Sequence, residues 1–270
     1  MLLIIVSLIL VMQFLAKKRD QVLALNQVEY DLVQKREGNK QCILMLHGFG
    51  VTPQMFLELQ KHLESYDCYA PILTGSSCSL KSFTDSKSQD WITIACDSYD
   101  ELTKSYEQVV VLGFSMGGLL AYHLTQLRQI DRCIILAPYF GLYKVPSFFE
   151  QILMSLFENI NLYIKNKSLD CSKSLKKGEV FTYGFTPTKA VSQLIKLSYL
   201  VKSLPQSKSS ILVIHSQSDH VADFTKSKAF LNKSEHVKFV SFEKSYHYIL
   251  HDVDKVNVYN EITTYLKERD

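Results

Sequence analysis

Apolar and polar positions alternate along this chain, so that short apolar runs are separated by longer stretches with helical spacing. Short apolar runs bounded by turn residues predict strands buried in a sheet. They cover residues 42–46, 67–73, 109–112, 133–136, 211–214 and 237–242, and alternation around Val28, Tyr30 and Leu32 adds a short edge strand. Strands that alternate with helices predict an α/β fold, a mostly parallel sheet with helices on both faces.

Helices are expected between these strands, where apolar residues recur every three or four positions. Thr52 and Pro53 resemble an N-cap followed by the first helical residue. The Ser-rich residues 74–88 predict a loop, from which Phe83 docks inward. The predicted helices cover residues 52–64, 90–106 and 253–266.

Between residues 139 and 205 the alternation of strands and helices is interrupted. This interruption predicts a helical cap inserted into a core of residues 20–138 and 206–270. Residues 146–164 are patterned as one apolar helix, and a second helix is expected after Pro187. The apolar face of the first comprises Phe149, Ile152, Leu153, Leu156, Phe157 and Ile160. We expect most of these side chains to pack on the sheet edge or the second helix, and the rest to line a cavity.

The N-terminal residues 1–16 are apolar except at two positions, and the basic cluster 17–19 follows directly. As a helix they would extend about 24 Å, slightly less than a hydrocarbon core of roughly 30 Å. No small-x-small cleavage site precedes the cluster, and a core helix would have a polar face. Residues 1–19 are therefore interpreted as a membrane anchor with a cytoplasmic domain behind it. A cleaved signal peptide on a secreted protein is the alternative.

Composition narrows the class of protein. The 270 residues suit one core with an inserted cap, and an apolar fraction of 47% is ordinary for a globular protein. A net charge of +3 is too small and scattered to predict a nucleic-acid partner. The six cysteines include no C-x-x-C pair. Reduced thiols are therefore expected, with no metal and no cofactor.

The candidate chemistry lies in Gly113-Phe114-Ser115-Met116-Gly117, which follows the run 109–112 directly. A strand, a turn too tight for inner side chains and a helix are predicted there. A serine at the apex would have a rare backbone conformation and an exposed hydroxyl, as in a G-x-S-x-G nucleophile elbow. The alternative is a glycine-rich turn with a surface serine.

A catalytic serine needs a base and an acid, and these residues follow later strands of such sheets. Asp219 and His247 each lie a few residues beyond a predicted strand. His247 would be the general base, and Asp219 would fix its tautomer. Backbone N–H groups of Met116 and Phe49 are predicted to form the oxyanion hole. Four other residues near these strands could also be the acid or the base. We interpret Asp223 as an N-cap, His251 as a surface or packing residue, and His215 and His220 as loop histidines.

The segments LMLHGFG, VLGFSMGG, SQSDHV and SYHYILHD resemble the α/β-hydrolase superfamily from residue 42 to the C-terminus. Within it, the chain is similar to small bacterial carboxylesterases and monoacylglycerol lipases with a helical cap. The resemblance implies a Ser115, Asp219 and His247 triad, with Phe49 and Met116 as oxyanion donors. The chain departs from the usual pattern of this group at two places, which affects the expected shape of the pocket. Gly75-Ser76-Ser77 stands where the group has a Gly-His-Gly turn, and Tyr246 stands where a small residue precedes the catalytic histidine.

The expected activity is hydrolysis of small-molecule or lipid acyl esters of moderate chain length, through an acyl-enzyme. Because fold alone does not define function, two other classes stay open. One is a non-catalytic binding protein, which normally lacks a member of the triad. The other is a related triad enzyme, such as a thioesterase, peptidase or acyltransferase.

Overall fold

A seven-stranded sheet organises the part of the chain that the computed structural model describes, namely Gln13 and residues 31–36, 38–76, 79–166, 169–173, 175 and 180–268. The described strands are β1 (Leu32–Gln34), β2 (Gln41–Leu46), β3 (Asp67–Ala70), β4 (Gln108–Phe114), β5 (Arg132–Leu136), β6 (Tyr163–Lys165), β7 (Phe185–Pro187), β8 (Ser210–Ser216) and β9 (Val237–Phe242). The large sheet has the order β1-β3-β2-β4-β5-β8-β9, and β6 pairs with β7 in a separate ribbon.

The helices lie between the strands, as the sequence pattern predicts. A 3₁₀ turn covers Pro53–Phe56. The α-helices of the described chain are α1 (Leu57–Gln60), α2 (Leu80–Asp85), α3 (Ser88–Leu102), α4 (Met116–Leu127), α5 (Ser147–Asn159), α6 (Thr188–Lys202), α7 (Phe224–Leu231) and α8 (Lys255–Lys267).

Strand pairing confirms a mostly parallel sheet. Only the edge strand β1 runs antiparallel to its neighbour β3, whereas the remaining neighbouring pairs of this sheet are parallel. The elbow strand β4 is central, between β2 and β5. The carboxyl ends of β4, β8 and β9 therefore share one edge of the sheet, where active sites of open α/β sheets form.

The core has two layers, one on each face of the sheet. Alternate residues of β4 belong to different layers, because successive strand side chains point to opposite faces. Val111 packs in the layer that contains residues of α3, α4 and α7. Leu112 packs in the layer that contains residues of α1 and α8. Helices therefore cover both faces, as predicted.

Two local predictions before the elbow are wrong. The helix expected over residues 52–64 is a 3₁₀ turn followed by the four-residue α1, and Thr52 makes no side-chain cap. The loop expected over residues 74–88 contains α2, because Ser79 caps it by accepting from the N–H of Ser82. Phe83 is buried, as expected.

Between β5 and β8 the chain forms α5, the β6–β7 ribbon and α6. The helix predicted over residues 146–164 ends at Asn159, and the chain then extends into β6. The expectation that most of its apolar face would be packed is wrong. Four of the six residues are exposed, at 55% for Phe149, 46% for Ile152 and Leu156, and 45% for Ile160. The core in this region is supplied instead by α6, through Leu194, Leu197 and Val201.

None of the helices in the described ranges is long and apolar enough to cross a membrane. The predicted anchor, residues 1–19, lies outside the described residues apart from Gln13. The described cysteines are free thiols, and burial raises the pKa of Cys42 and of Cys68 to about 12. Among the same residues, no group of three or more His, Cys, Asp or Glu side chains could hold a metal ion.

Candidate active site

The turn between β4 and α4 has the strained geometry that the sequence predicts. Ser115 lies at φ 54° and ψ −112°, a conformation that side-chain-bearing residues rarely adopt. A Cβ on Gly113 would lie 2.0 Å from the carbonyl oxygen of Gly117. A Cβ on Gly117 would lie 1.8 Å from the carbonyl oxygen of Leu46. Only glycine therefore permits helix, strand and turn to approach this closely.

The structure brings the three predicted side chains together. His247 Nε2 lies 3.0 Å from Ser115 Oγ, and its Nδ1 lies 2.7 Å from Asp219 Oδ2. All three residues are buried, at 5% exposure for Ser115, 1% for Asp219 and 3% for His247. The imidazole thus connects the hydroxyl to the carboxylate in a largely dehydrated site, where such hydrogen bonds are strong.

The carboxylate of Asp219 is held by four donors. Its Oδ1 accepts from the backbone N–H groups of Val221 and Ala222, each at 2.8 Å. Its Oδ2 accepts from His247 and also from Nε2 of His215, at 3.0 Å. Burial alone would raise the pKa of Asp219, but the charge of His247 and the hydrogen bonds from both histidines outweigh it and hold that pKa below its ordinary value.

His215 makes a contact with Asp219 that the sequence interpretation missed. It was expected to be a loop histidine, but it lies in β8, fully buried, with its ring against the acid. The signal available in the sequence was its spacing, four residues before Asp219.

Of the two predicted oxyanion donors, Met116 follows Ser115 directly and Phe49 lies on a loop that approaches Ser115. Met116 is the first residue of α4, and a first N–H has no carbonyl partner within its own helix. Phe49 follows Gly48, and a Cβ on Gly48 would lie 3.4 Å from Ser115 Cβ. The ring of Phe49 packs against Phe83, with centroids 4.7 Å apart.

His47 supports this loop from inside the core. Its Nδ1 lies 2.9 Å from the carbonyl oxygen of Gly48, and its Nε2 lies 3.0 Å from the N–H of Leu73. A ring that donates through Nδ1 and accepts at Nε2 is neutral. Complete burial lowers the pKa of His47 to about 4. The loop that carries Phe49 is thereby attached to the chain that follows β3.

The competing residues have other partners. Asp223 accepts from the N–H groups of Thr225 and Lys226 and caps α7, as predicted. His251 is buried with Nε2 2.9 Å from the carbonyl oxygen of Met55, which confirms a packing role. His220 contacts Asp170 at 3.0 Å, a partner that lies between β6 and β7.

Comparison with known proteins agrees with this architecture. The model of the family described as "Serine aminopeptidase, S33" matches residues 37–254, and the chain belongs to this hydrolase family. Its fold is the α/β-hydrolase fold.

Individual relatives of similar sequence or structure are named as esterases or lipases. "Putative esterase/lipase 3" of Mycoplasma genitalium is 24% identical over 230 residues, which cover 77% of this chain and 81% of that protein. Among solved structures, a metagenome-derived lipolytic enzyme superposes with a TM-score of 0.76 at 20% identity, covering 88% of this chain and 97% of its own. The monoacylglycerol lipase of Paleococcus ferrophilus gives a TM-score of 0.73 at 17% identity, covering 88% and 98%.

Proposed function

We propose that this protein is a serine ester hydrolase of the carboxylesterase or monoacylglycerol lipase type. The observation that carries the proposal is the pair of contacts made by His247, 3.0 Å to Ser115 Oγ and 2.7 Å to Asp219 Oδ2. The complete triad argues against the alternative of a non-catalytic binding protein.

In the proposed reaction, His247 Nε2 takes the proton of Ser115 as Oγ attacks the ester carbonyl carbon. The negative charge that develops on the carbonyl oxygen is stabilised by the N–H groups of Phe49 and Met116. Asp219 stays ionised and stabilises the imidazolium. The imidazolium then protonates the departing alcohol oxygen, which leaves an acyl group on Ser115. A water molecule, deprotonated by the same imidazole, then attacks the acyl carbon. The bond to Ser115 Oγ breaks, the imidazolium returns the proton to Oγ, and the acid leaves.

An ester substrate is supported by the names of the relatives, which include an esterase/lipase and a monoacylglycerol lipase. The family description, serine aminopeptidase, favours a peptidase as the second candidate. Turnover of p-nitrophenyl esters and of aminoacyl p-nitroanilides separates the two. Faster hydrolysis of the anilides would replace the ester proposal by the peptidase.

Replacement of the nucleophile tests the chemistry directly. Ser115→Ala is expected to lower hydrolysis of an activated ester by about 10⁴–10⁶, because triad members act as a unit. A fluorophosphonate probe should label the wild type once, and intact-protein mass spectrometry measures this. Labelling that persists in Ser115→Ala would contradict the assignment, and labelling without turnover of any acyl substrate would favour the binding protein.

A moderate acyl chain is proposed because aromatic rings lie close to His247 and at Phe49, two of the residues proposed to act on the ester. Phe114 lies with its ring centroid 5.1 Å from that of His247, and Phe49 packs on Phe83 and Trp91. Each buried methylene contributes about 0.8 kcal/mol, or about fourfold in affinity. Specificity constants on p-nitrophenyl esters should therefore rise from acetyl to roughly hexanoyl and then fall when the site is full. A preference for acetyl esters would contradict an apolar acyl site.

We also propose that residues 1–16 anchor the protein in a membrane, with the catalytic domain in the cytoplasm. Full-length protein should sediment with membranes, whereas a chain beginning at Asp20 should remain in the supernatant with unchanged turnover of a water-soluble ester. External protease should spare the domain in intact cells. Recovery from the medium of a form lacking residues 1–16 would favour a cleaved signal peptide.

A further inference from the structure

A carboxylate from outside the triad joins the two loops that carry its acid and its base. Asp170 Oδ2 accepts from the backbone N–H of His220 and from that of His247, each at 3.1 Å. Asp170 Oδ1 lies 3.0 Å from Nδ1 of His220. The carbonyl oxygen of Asp170 accepts from the N–H of Tyr248 at 3.2 Å.

A second connection lies two residues further along the same segment. Ser172 donates its N–H to Asp252 Oδ2 at 2.7 Å, and the same oxygen accepts from the N–H of Tyr246 at 2.8 Å. Tyr246 precedes the catalytic histidine directly. The segment around Asp170 thus contacts the backbone of His247 and Tyr248 directly, and it is joined to Tyr246 through the shared acceptor Asp252.

The position of Asp170 explains why such a contact matters. Asp219 follows β8 and His247 follows β9, and each loop ends a different strand. Their side chains meet only if the two loops keep a fixed spacing, and a misplacement of about 1 Å can cost roughly 10²-fold in rate. One carboxylate oxygen that accepts from both loops adds a link between them, beside the hydroxyls of Ser216 and Ser218 that donate to carbonyl oxygens of the histidine loop. The side chain of Asp170 is 18% exposed, so these charge-assisted hydrogen bonds are largely protected from water.

We propose that Asp170 is a positioning residue that locks the acid loop and the histidine loop in register. It acts on the ring of His247 through the backbone N–H of that residue and makes no contact with substrate. The inserted region between β5 and β8 thereby takes part in assembling the triad. This proposal rests on the proposed serine-hydrolase function.

The test compares three variants of the full chain. Asp170→Ala removes every side-chain acceptor and is expected to lower kcat on a p-nitrophenyl ester by about 10–100-fold, with KM within about twofold. Asp170→Asn keeps one carbonyl oxygen that can accept from both N–H groups, so it should retain activity within about threefold of the wild type. Glu158→Ala is the matched control, because this carboxylate of α5 pairs with Lys196 at 3.5 Å and should leave kcat unchanged.

The rate of fluorophosphonate labelling of Ser115 separates the two proposals, because labelling needs an aligned histidine but no ester turnover. In Asp170→Ala this rate should fall in parallel with kcat while the folded fraction, measured by circular dichroism, stays constant. If the wild type hydrolyses no ester yet labels, and labelling slows in Asp170→Ala, the positioning role stands and the proposed substrate class fails. Unchanged kcat and labelling in Asp170→Ala, or a loss of activity that matches only a loss of folded protein, would overturn the positioning role.

Discussion

Asp219 shows that two histidines in contact with one carboxylate can have different roles. Its Oδ2 accepts from two histidines, and only His247 also reaches Ser115. A carboxylate that accepts four hydrogen bonds remains ionised and cannot rotate freely, so the imidazole opposite it keeps one tautomer. In the proposed mechanism, His215 therefore supports Asp219 without taking part in proton transfer.

Replacement of His215 by phenylalanine keeps the ring volume and removes one donor to Asp219. A hydrogen bond to a charged group contributes about 1.5–3 kcal/mol, so kcat/KM should fall by about tenfold or more. Initial rates measured against substrate concentration test this expectation. An unchanged kcat/KM would mean that His215 only fills space.

Replacement of the two histidines of the last loop distinguishes base from packing residue. His247→Ala should abolish activity, because no other imidazole contacts Ser115 among the described residues. His251→Gln can keep a donor to the carbonyl oxygen of Met55 and should leave activity unaltered. If His251→Gln abolished activity and His247→Ala did not, His251 would be assigned as the base instead.

Among the elements, the parallel strands of the large sheet could be predicted from sequence because each is a short, mostly apolar run, and β9 has the predicted bounds. The two strands of the ribbon, β6 and β7, were missed because each has only three residues and no apolar run. The elbow was predictable for a similar reason, since its glycines follow a buried strand. The helix α2 was missed because its six residues carry mainly polar side chains and its signal is the single cap at Ser79. Asp170 gave no signal, because it lies 49 residues before Asp219 and 77 before His247, and no local pattern reports such contacts.

The elbow element gives a matched pair of alanine substitutions. In Gly117→Ala the new Cβ would meet backbone at 1.8 Å, so strand β2 or helix α4 must shift, and the loss of stability should exceed about 3 kcal/mol. In Gly118→Ala the nearest atom is the Ile135 Cγ2 methyl at 3.0 Å, and alanine favours a helix by about 1 kcal/mol over glycine. That variant should stay within about 1 kcal/mol of the wild type. Urea unfolding measures both, and equal losses would refute the role given to Gly117.

At the scale of the whole molecule, the free energy of unfolding depends on pH through buried groups whose pKa differs between the folded and the unfolded chain. His47 is the clearest case, because burial lowers its pKa to about 4 from an ordinary 6.5. Between these values the unfolded chain binds a proton that the folded chain does not, so the free energy of unfolding falls as the pH is lowered from 6.5 to 4. The stabilisation is complete above pH 6.5, and the difference corresponds to about 3 kcal/mol at most.

The variant His47→Asn tests this prediction. Its amide can still donate to the carbonyl oxygen of Gly48, but it cannot titrate and it loses the acceptor for the N–H of Leu73. The variant should be less stable than the wild type at pH 7, and the gap should narrow by up to about 3 kcal/mol as the pH falls to 4. Carboxylates such as Asp219 titrate in both proteins, so their contribution cancels in the difference between the two urea-unfolding series. Two curves that remain parallel from pH 7 to pH 4 would show that His47 has the same pKa in the folded and the unfolded chain, and the lowering of its pKa by burial would then be wrong.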